Sequence, residues 1–184
     1  MLSLIKSVGS SNVGNNRLYN SIQKCHYSIT KISNNTSSFN ITGTLANEGV
    51  KVGSYAEVKH IFTQENVNIF ASICGDNNPL HIDPNFAKDT MFKGTIVHGI
   101  FVSSLFSTLF GRSIKGSVYV SQSLQFKKPV HVGKEVIARM KIISIDERKI
   151  GSFITCSTTC EIDGSIIAVE GEAKVLLPAV KKNT

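Results

Sequence analysis

Residues 95–110 read TIVHGIFVSSLFSTLF, in which nine of sixteen side chains are large and apolar. Only Ser103, Ser104, Ser107 and Thr108 interrupt them after the His98-Gly99 pair where the helix is expected to open. A helix of that length spans about 24 Å. Its apolar positions surround the whole wheel rather than forming one stripe, which predicts burial within a domain. Past Gly111 the period of the pattern drops to two. Val118, Val120, Leu124 and Phe126 alternate with Tyr119, Ser121, Ser123 and Gln125, the pattern of a half-buried strand. Further strands are predicted over Glu135–Ile145, with Val136, Ala138, Met140 and Ile142 on one side, and over Phe153–Ile162. Asp163-Gly164 is a two-residue hairpin signal into a last strand, Ser165–Leu177.

Upstream, Tyr55–Phe62 reads as a strand near the start of the folded part, which is expected to occupy residues 48–180 as one domain. Thr63 can cap a following helix, with Glu65 at its positive end and Val67, Phe70, Ile73 and Cys74 at helical spacing. Gly75 is a natural stop, and Pro79 keeps Asn78 out of the helical region. Strand, helix, long apolar helix and four antiparallel strands make an α+β fold. A curved antiparallel sheet wrapped around one central helix satisfies both periodicities. Such a sheet leaves edges that invite pairing, which predicts a homodimer joined sheet to sheet or helix to helix.

Between the two helices runs Ile73-Cys-Gly-Asp-Asn-Asn-Pro-Leu-His-Ile-Asp83. Asp76 and His81 lie five residues apart across an Asn-Pro turn, in a loop leaving a helix end, where catalytic groups are commonly placed. A carboxylate and an imidazole meeting beside a helix N-terminus can move protons next to a polarised carbonyl. Taken alone, the same pair is also the chemistry of a turn cap and a loop hydrogen bond. Asn78 reads as a loop-ordering residue and Asp83 as the cap of the next turn. His98 reads as a hydrogen-bonding residue at the helix start, and His60 and His131 as surface or strand residues. Lys127-Lys128 reads as a solvated edge that could also meet phosphates or an acidic carrier.

Of the net charge of +7, four charges come from Lys6, Arg17, Lys24 and Lys31, which precede the first acid, Glu48. The remaining +3 gives little support to nucleic-acid binding and suits an anionic partner. Residues 1–40 are basic, acid-free and rich in Ser and Asn, as expected of a mitochondrial transit peptide and a matrix location. No apolar run approaches 18 residues, so no membrane span is expected. Cys25, Cys74, Cys156 and Cys160 include no Cys-x-x-Cys pair, so no metal site is expected. Cys156 and Cys160 share a strand face with Ile154 and Ile162 and read as reduced core thiols.

With these elements placed, the chain resembles the MaoC-like branch of the hot-dog fold, which contains (R)-specific enoyl-CoA hydratases and hydroxyacyl-thioester dehydratases. The family signature is filled by Phe70, Ile73, Cys74, Gly75, Asp76, Asn78, Pro79, Leu80, His81 and Asp83. Ile96-Val97-His98-Gly99-Ile100, Leu105-Phe106-Ser107 and the Tyr119–Phe126 segment also match, so the likeness covers roughly residues 50–178. The resemblance implies that Asp76 and His81 are catalytic, activating one water. It implies that the Gly99 amide binds the thioester carbonyl, and that Asn78 and Ser107 contact the substrate side of the site. No cofactor or metal is implied. The implied substrate is an (R)-3-hydroxyacyl or trans-2-enoyl thioester, carried by acyl carrier protein in mitochondrial fatty-acid synthesis or by CoA. A hot-dog thioesterase and a non-catalytic acyl-binding module are the competing classes. Acyl-chain length is not legible in the residues.

Overall fold

The structure, a computed structural model, describes residues 39–179. Positions 1–38 of the expected leader lie outside the described residues. A two-residue strand β1 (Ile41–Thr42) and a one-turn helix α1 (Leu45–Glu48) come first, and Leu45 is buried in the core. The packed chain thus starts upstream of residue 48. Strand β2 (Tyr55–Ile61) leads into α2 (Gln64–Cys74), followed by two short helices, α3 (Pro79–Ile82) and α4 (Pro84–Lys88). The long helix is α5 (Gly99–Ser113). Five strands complete the chain: β3 (Val118–Gln122), β4 (Gln125–Phe126), β5 (Glu135–Arg148), β6 (Gly151–Ile162) and β7 (Ile166–Pro178).

Among the described residues the strands form one antiparallel sheet in the order β1-β2-β5-β6-β7-β3, with β4 also paired to β7. Alternation decides its buried face. Ala56 and Val58 on β2, Val136, Ala138, Met140 and Ile142 on β5, and Ile154, Cys156 and Cys160 on β6 all point into the core. Against them packs one side of α5, through Val102, Leu105, Phe106, Leu109 and Phe110. This is the sheet wrapped around a helix that the two periodicities predict.

Several local expectations are corrected. The central helix opens at the expected His98-Gly99 pair but excludes Thr95–Val97 from the sixteen-residue span, because Val97 N–H donates to the Val130 carbonyl (2.7 Å) and Ile96 bridges His131. It is not buried all round either: Ile100 is 59% exposed, and Ser104 and Ser107 are exposed beside it. The predicted strand 118–126 is broken. Gly171 lets the Ser123 carbonyl approach so closely that a Cβ would meet it at 1.8 Å, and the segment bends there into β3 and β4. Val118, Val120 and Phe126 consequently remain half-exposed along an outer strand. On α2 the core is reached by Val67 and Ala71, whereas Ile73 is 78% exposed.

The β6–β7 turn has three residues, Asp163–Ser165, rather than two. Asp163 and Gly164 both take positive φ (48° and 86°), as an Asp-Gly turn allows. A bulge opposite Cys160/Glu161 absorbs the register change on β7.

The three cysteines in the described residues separate by environment: Cys74 is exposed, Cys156 and Cys160 are buried. Burial alone pushes both core thiols up to about 12. At pH 8 they lie well below that value and carry essentially no thiolate, the reactive form. We therefore expect Ellman's reagent at pH 8 to label Cys74 in the native protein. Cys156 and Cys160 should react only after denaturation, as peptide mapping of the labelled sites will show.

Candidate active site

The site is assembled where the end of α2, the helix α3 and the start of α5 meet. Thr63 opens α2 with a capping box: its hydroxyl accepts from Asn66 N–H (3.2 Å), and Asn66 Oδ1 accepts from Thr63 N–H (3.1 Å). Gly75 closes α2 in the left-handed region (φ 81°), a conformation open to glycine at little cost. That turn directs the chain into Asp76. The Asp76 Oδ1 then accepts from Asn78 N–H (3.2 Å), and Asn78 Oδ1 caps α3 by accepting from Leu80 N–H (3.1 Å). Pro79 occupies the first position of α3, where a missing N–H costs nothing. Two residues later stands His81.

Tertiary bonds fix this loop. His81 Nδ1–H donates to the Ile96 carbonyl (2.7 Å), while Ile96 N–H donates to the Leu80 carbonyl (3.2 Å). Gln64 Nε2 donates to the His81 carbonyl (2.7 Å), and Thr95 Oγ1 donates to Gln64 Oε1 (2.8 Å). A carbonyl can only accept, so the His81 proton resides on Nδ1 and Nε2 keeps its lone pair. One side-chain atom from each of Asp76, His81 and His98 lies within 4.8 Å of the others. The Asp76 side chain is 55% exposed and that of His98 only 4%.

Two cavities meet here. The larger, of about 370 Å³, is lined mainly by apolar groups including Phe92, Val102, Phe126, Val130 and Val169, with Lys127 and Lys128 at its rim. The smaller, of about 260 Å³, is lined by Phe70, Cys74, Asp76 and His98. His81, Gly99 and Ile100 line both. Gly99 is the first residue of α5, and its N–H is one of the amides that find no partner within a helix. The His98 side chain makes no capping bond to them. A Cβ on Gly99 would lie 2.7 Å from the Phe126 ring, so the absence of a side chain lets that ring close over the helix start.

The structure thus brings Asp76, His81 and Gly99 together. Asn78 lines neither cavity; its carboxamide oxygen is engaged in the loop. Ser107 lies about 12 Å along the helix from Gly99, on the exposed side of α5 and outside both cavities. Asp83 caps α4, its Oδ1 accepting from Asn85 N–H (2.8 Å) and Phe86 N–H (3.2 Å). His60 stacks on Phe39 and meets the edge of Phe62, and burial lowers its pKa. Sequence reasoning gave His98 only a local role. Its contacts with Asp76 and His81 join residues 17 to 22 apart in the chain, a distance over which spacing carries no signal.

The "MaoC like domain" family matches residues 46–159. The (R)-specific enoyl-CoA hydratase of Aeromonas caviae is 43% identical over 133 residues, which is 71% of this chain and 98% of that protein. A mitochondrial 3-hydroxyacyl-[acyl-carrier-protein] dehydratase of Arabidopsis thaliana is 35% identical over 130 residues, 70% of this chain and 78% of that protein. The solved structure of the A. caviae (R)-hydratase superposes with a TM-score of 0.67, covering 71% of this chain and 99% of that one.

Replacing a residue whose side-chain oxygen accepts at an N-cap by alanine typically costs about 0.5–2 kcal/mol. Asn78→Ala is expected to lower stability by about that amount in urea unfolding, and Asn78→Asp, which keeps the acceptor oxygen, to recover most of it.

Proposed function

The chain belongs to the MaoC-like domain family, with its hot-dog fold, and from that membership we propose that it is a hydro-lyase interconverting (R)-3-hydroxyacyl and trans-2-enoyl thioesters. Hydration or dehydration of acyl thioesters is the activity that relatives 43% and 35% identical carry in their names. The observation that carries the reading is the convergence of Asp76, His81 and the first residue of α5 where two adjoining cavities share His81, Gly99 and Ile100.

In hydration, the acyl chain occupies the apolar cavity and its carbonyl oxygen accepts from Gly99 N–H. A water between the Asp76 carboxylate and His81 Nε2 gives a proton to that nitrogen as its oxygen bonds to C3. The electron pair of the C2=C3 bond moves toward the carbonyl, leaving enolate-like charge on the oxygen. The Gly99 amide and the positive end of α5 stabilise that charge, an effect of about 3 kcal/mol for one well-aimed donor. The imidazolium, its second N–H anchored on the Ile96 carbonyl, then returns the proton to C2. Asp76 orients the water and offsets the charge on the ring. Dehydration is the reverse.

Acyl carrier protein in mitochondrial fatty-acid synthesis is the proposed setting. The Arabidopsis and tomato relatives are named for that carrier and compartment, and the acid-free basic stretch at residues 1–40 suits a matrix-targeting leader. Lys128 places positive charge at the mouth of the apolar cavity, where an acidic carrier or a phosphate-bearing arm would enter, beside Lys127, whose ammonium is paired with Glu170 (2.8 Å). Their position is fixed by the Ala168 carbonyl at the β7 bulge, which accepts from both backbone N–H groups (2.8 and 3.3 Å). A CoA-linked hydratase of fatty-acid oxidation remains the second reading, favoured by the 43% identity to the A. caviae enzyme.

Crotonyl-CoA and crotonyl-carrier protein should lose their conjugated enoyl absorbance without release of free thiol. Thiol release would identify a thioesterase, and no change on either substrate an acyl-binding module. Asp76→Asn and His81→Ala are each expected to reduce the rate by about 10²-fold or more while thermal unfolding stays near wild type. Near-normal turnover in either variant refutes the mechanism.

We also propose a homodimer. β3 is the outermost strand at one end of the sheet, with Val118 and Val120 half-exposed along it. An apolar edge of this kind is a template for pairing. Sedimentation should give twice the chain mass of 20.0 kDa before leader removal; Val120→Lys should shift the equilibrium toward monomer.

A further inference from the structure

The mechanism above leaves one imidazole of the site without a task. His98 is 3% exposed and precedes the helix start. Its Nε2–H donates to the backbone carbonyl of Asp76 (3.0 Å), and the same nitrogen lies 3.9 Å from Asp76 Oδ2. Its ring stacks on His81, with centroids 3.8 Å apart and planes 30° from parallel. It also meets the Phe70 ring in a tilted pair, with centroids 5.1 Å apart and planes at 60°, and Phe70 in turn stacks on Phe101 (4.5 Å, 6°).

The ring nitrogen Nδ1 is buried without any hydrogen-bond partner. A buried polar atom left unpaired is a cost to stability, and an apolar ring filling the same space would avoid it. The second nitrogen therefore has a use, and among the described residues its partner is Asp76. The exposed member of the pair is Asp76, whose side chain is 55% accessible to solvent while that of His98 is 4%. Gly75 precedes it in a left-handed turn, which holds the backbone only locally.

The geometry points to His98 as the positioning residue of this site. Its N–H sets the depth of the Asp76 backbone, its ring face sets the plane of His81, and its place next to Gly99 ties both to the carbonyl-binding amide. The assignment rests on the function proposed above. A displacement of a reacting group by about 1 Å can cost on the order of 10² in rate, so kcat is the quantity that loss of His98 will reduce, with KM changing little.

Three variants separate positioning from packing. His98→Phe keeps a flat ring against His81 and Phe70 but removes the N–H; His98→Gln presents an amide N–H near the position of Nε2. With crotonyl thioester, His98→Phe is expected to lower kcat by about 30-fold with KM within about 3-fold, and His98→Gln to restore kcat to within about 5-fold of wild type. In an Asp76→Asn background, His98→Phe should cost at most about 3-fold more, since there is no carboxylate left to aim. Full kcat in His98→Phe, equal losses in the Phe and Gln variants, or losses that multiply with Asp76→Asn would each overturn the proposal.

A readout free of turnover accompanies these. In ¹H–¹⁵N spectra the amides of Asp76 and Asn77 should shift in His98→Phe and return toward wild type in His98→Gln. Their indifference to both substitutions overturns the positioning role. An inactive wild type with those shifts present would instead refute the proposed function and leave the positioning role standing.

Discussion

The hydrogen bond from His81 Nδ1 to the Ile96 carbonyl, at 2.7 Å, is the constraint from which the site follows. It joins a loop that ends a small surface helix to the extended lead-in of the central helix. Because the acceptor is a carbonyl, the bond also selects the tautomer, leaving Nε2 bare on the cavity side. The reciprocal bond from Ile96 N–H to the Leu80 carbonyl makes the junction two-sided. Rotating the ring would break a bond at a partly buried position, so the orientation of the His81 imidazole is fixed by backbone rather than by a flexible side chain.

That junction is rigid because its other half belongs to the core. Residues 95–98 are held extended by the Val97–Val130 bond and the Ile96–His131 bridge, and α5 then anchors them through five buried apolar side chains. Burying a Leu or Phe side chain contributes roughly 1.5–3 kcal/mol, whereas the loop contributes a few individually modest hydrogen bonds. Packing therefore positions the chemistry. The same helix serves twice: its sides close the core against β2, β5 and β6, and its first residue, Gly99, whose amide has no partner within the helix, lines both cavities.

Between the two faces of α5 the protein divides its surfaces. Val102, Leu105, Phe106, Leu109 and Phe110 are buried, while Ile100, Ser104 and Ser107 are exposed. A wheel that is apolar nearly all round suggests complete burial, but a single chain of this size has no second layer to cover the far side. The same reason explains β3: alternation marks Val118 and Val120 as inward-facing, yet an outer strand has a neighbour on one side only. The β3–β4 break was equally beyond reach, because it depends on Gly171 of a strand almost fifty residues away, which admits the Ser123 carbonyl.

Read by itself, the amino-acid order determined the α+β class, the central helix, the antiparallel strands and the Asp76–His81 loop. Each of these is written in short-range terms: a change of period from 3.6 to two, a capping threonine, a stopping glycine, a proline at a helix start. The tertiary structure alone decided that His98 touches both Asp76 and His81, that Phe126 closes over Gly99, and that Asn78 serves the loop while Ser107 stands apart from both cavities. Those contacts join residues far apart in the chain, and which partners meet is settled by how the sheet curves around the helix, a property of the packed whole that no local spacing encodes.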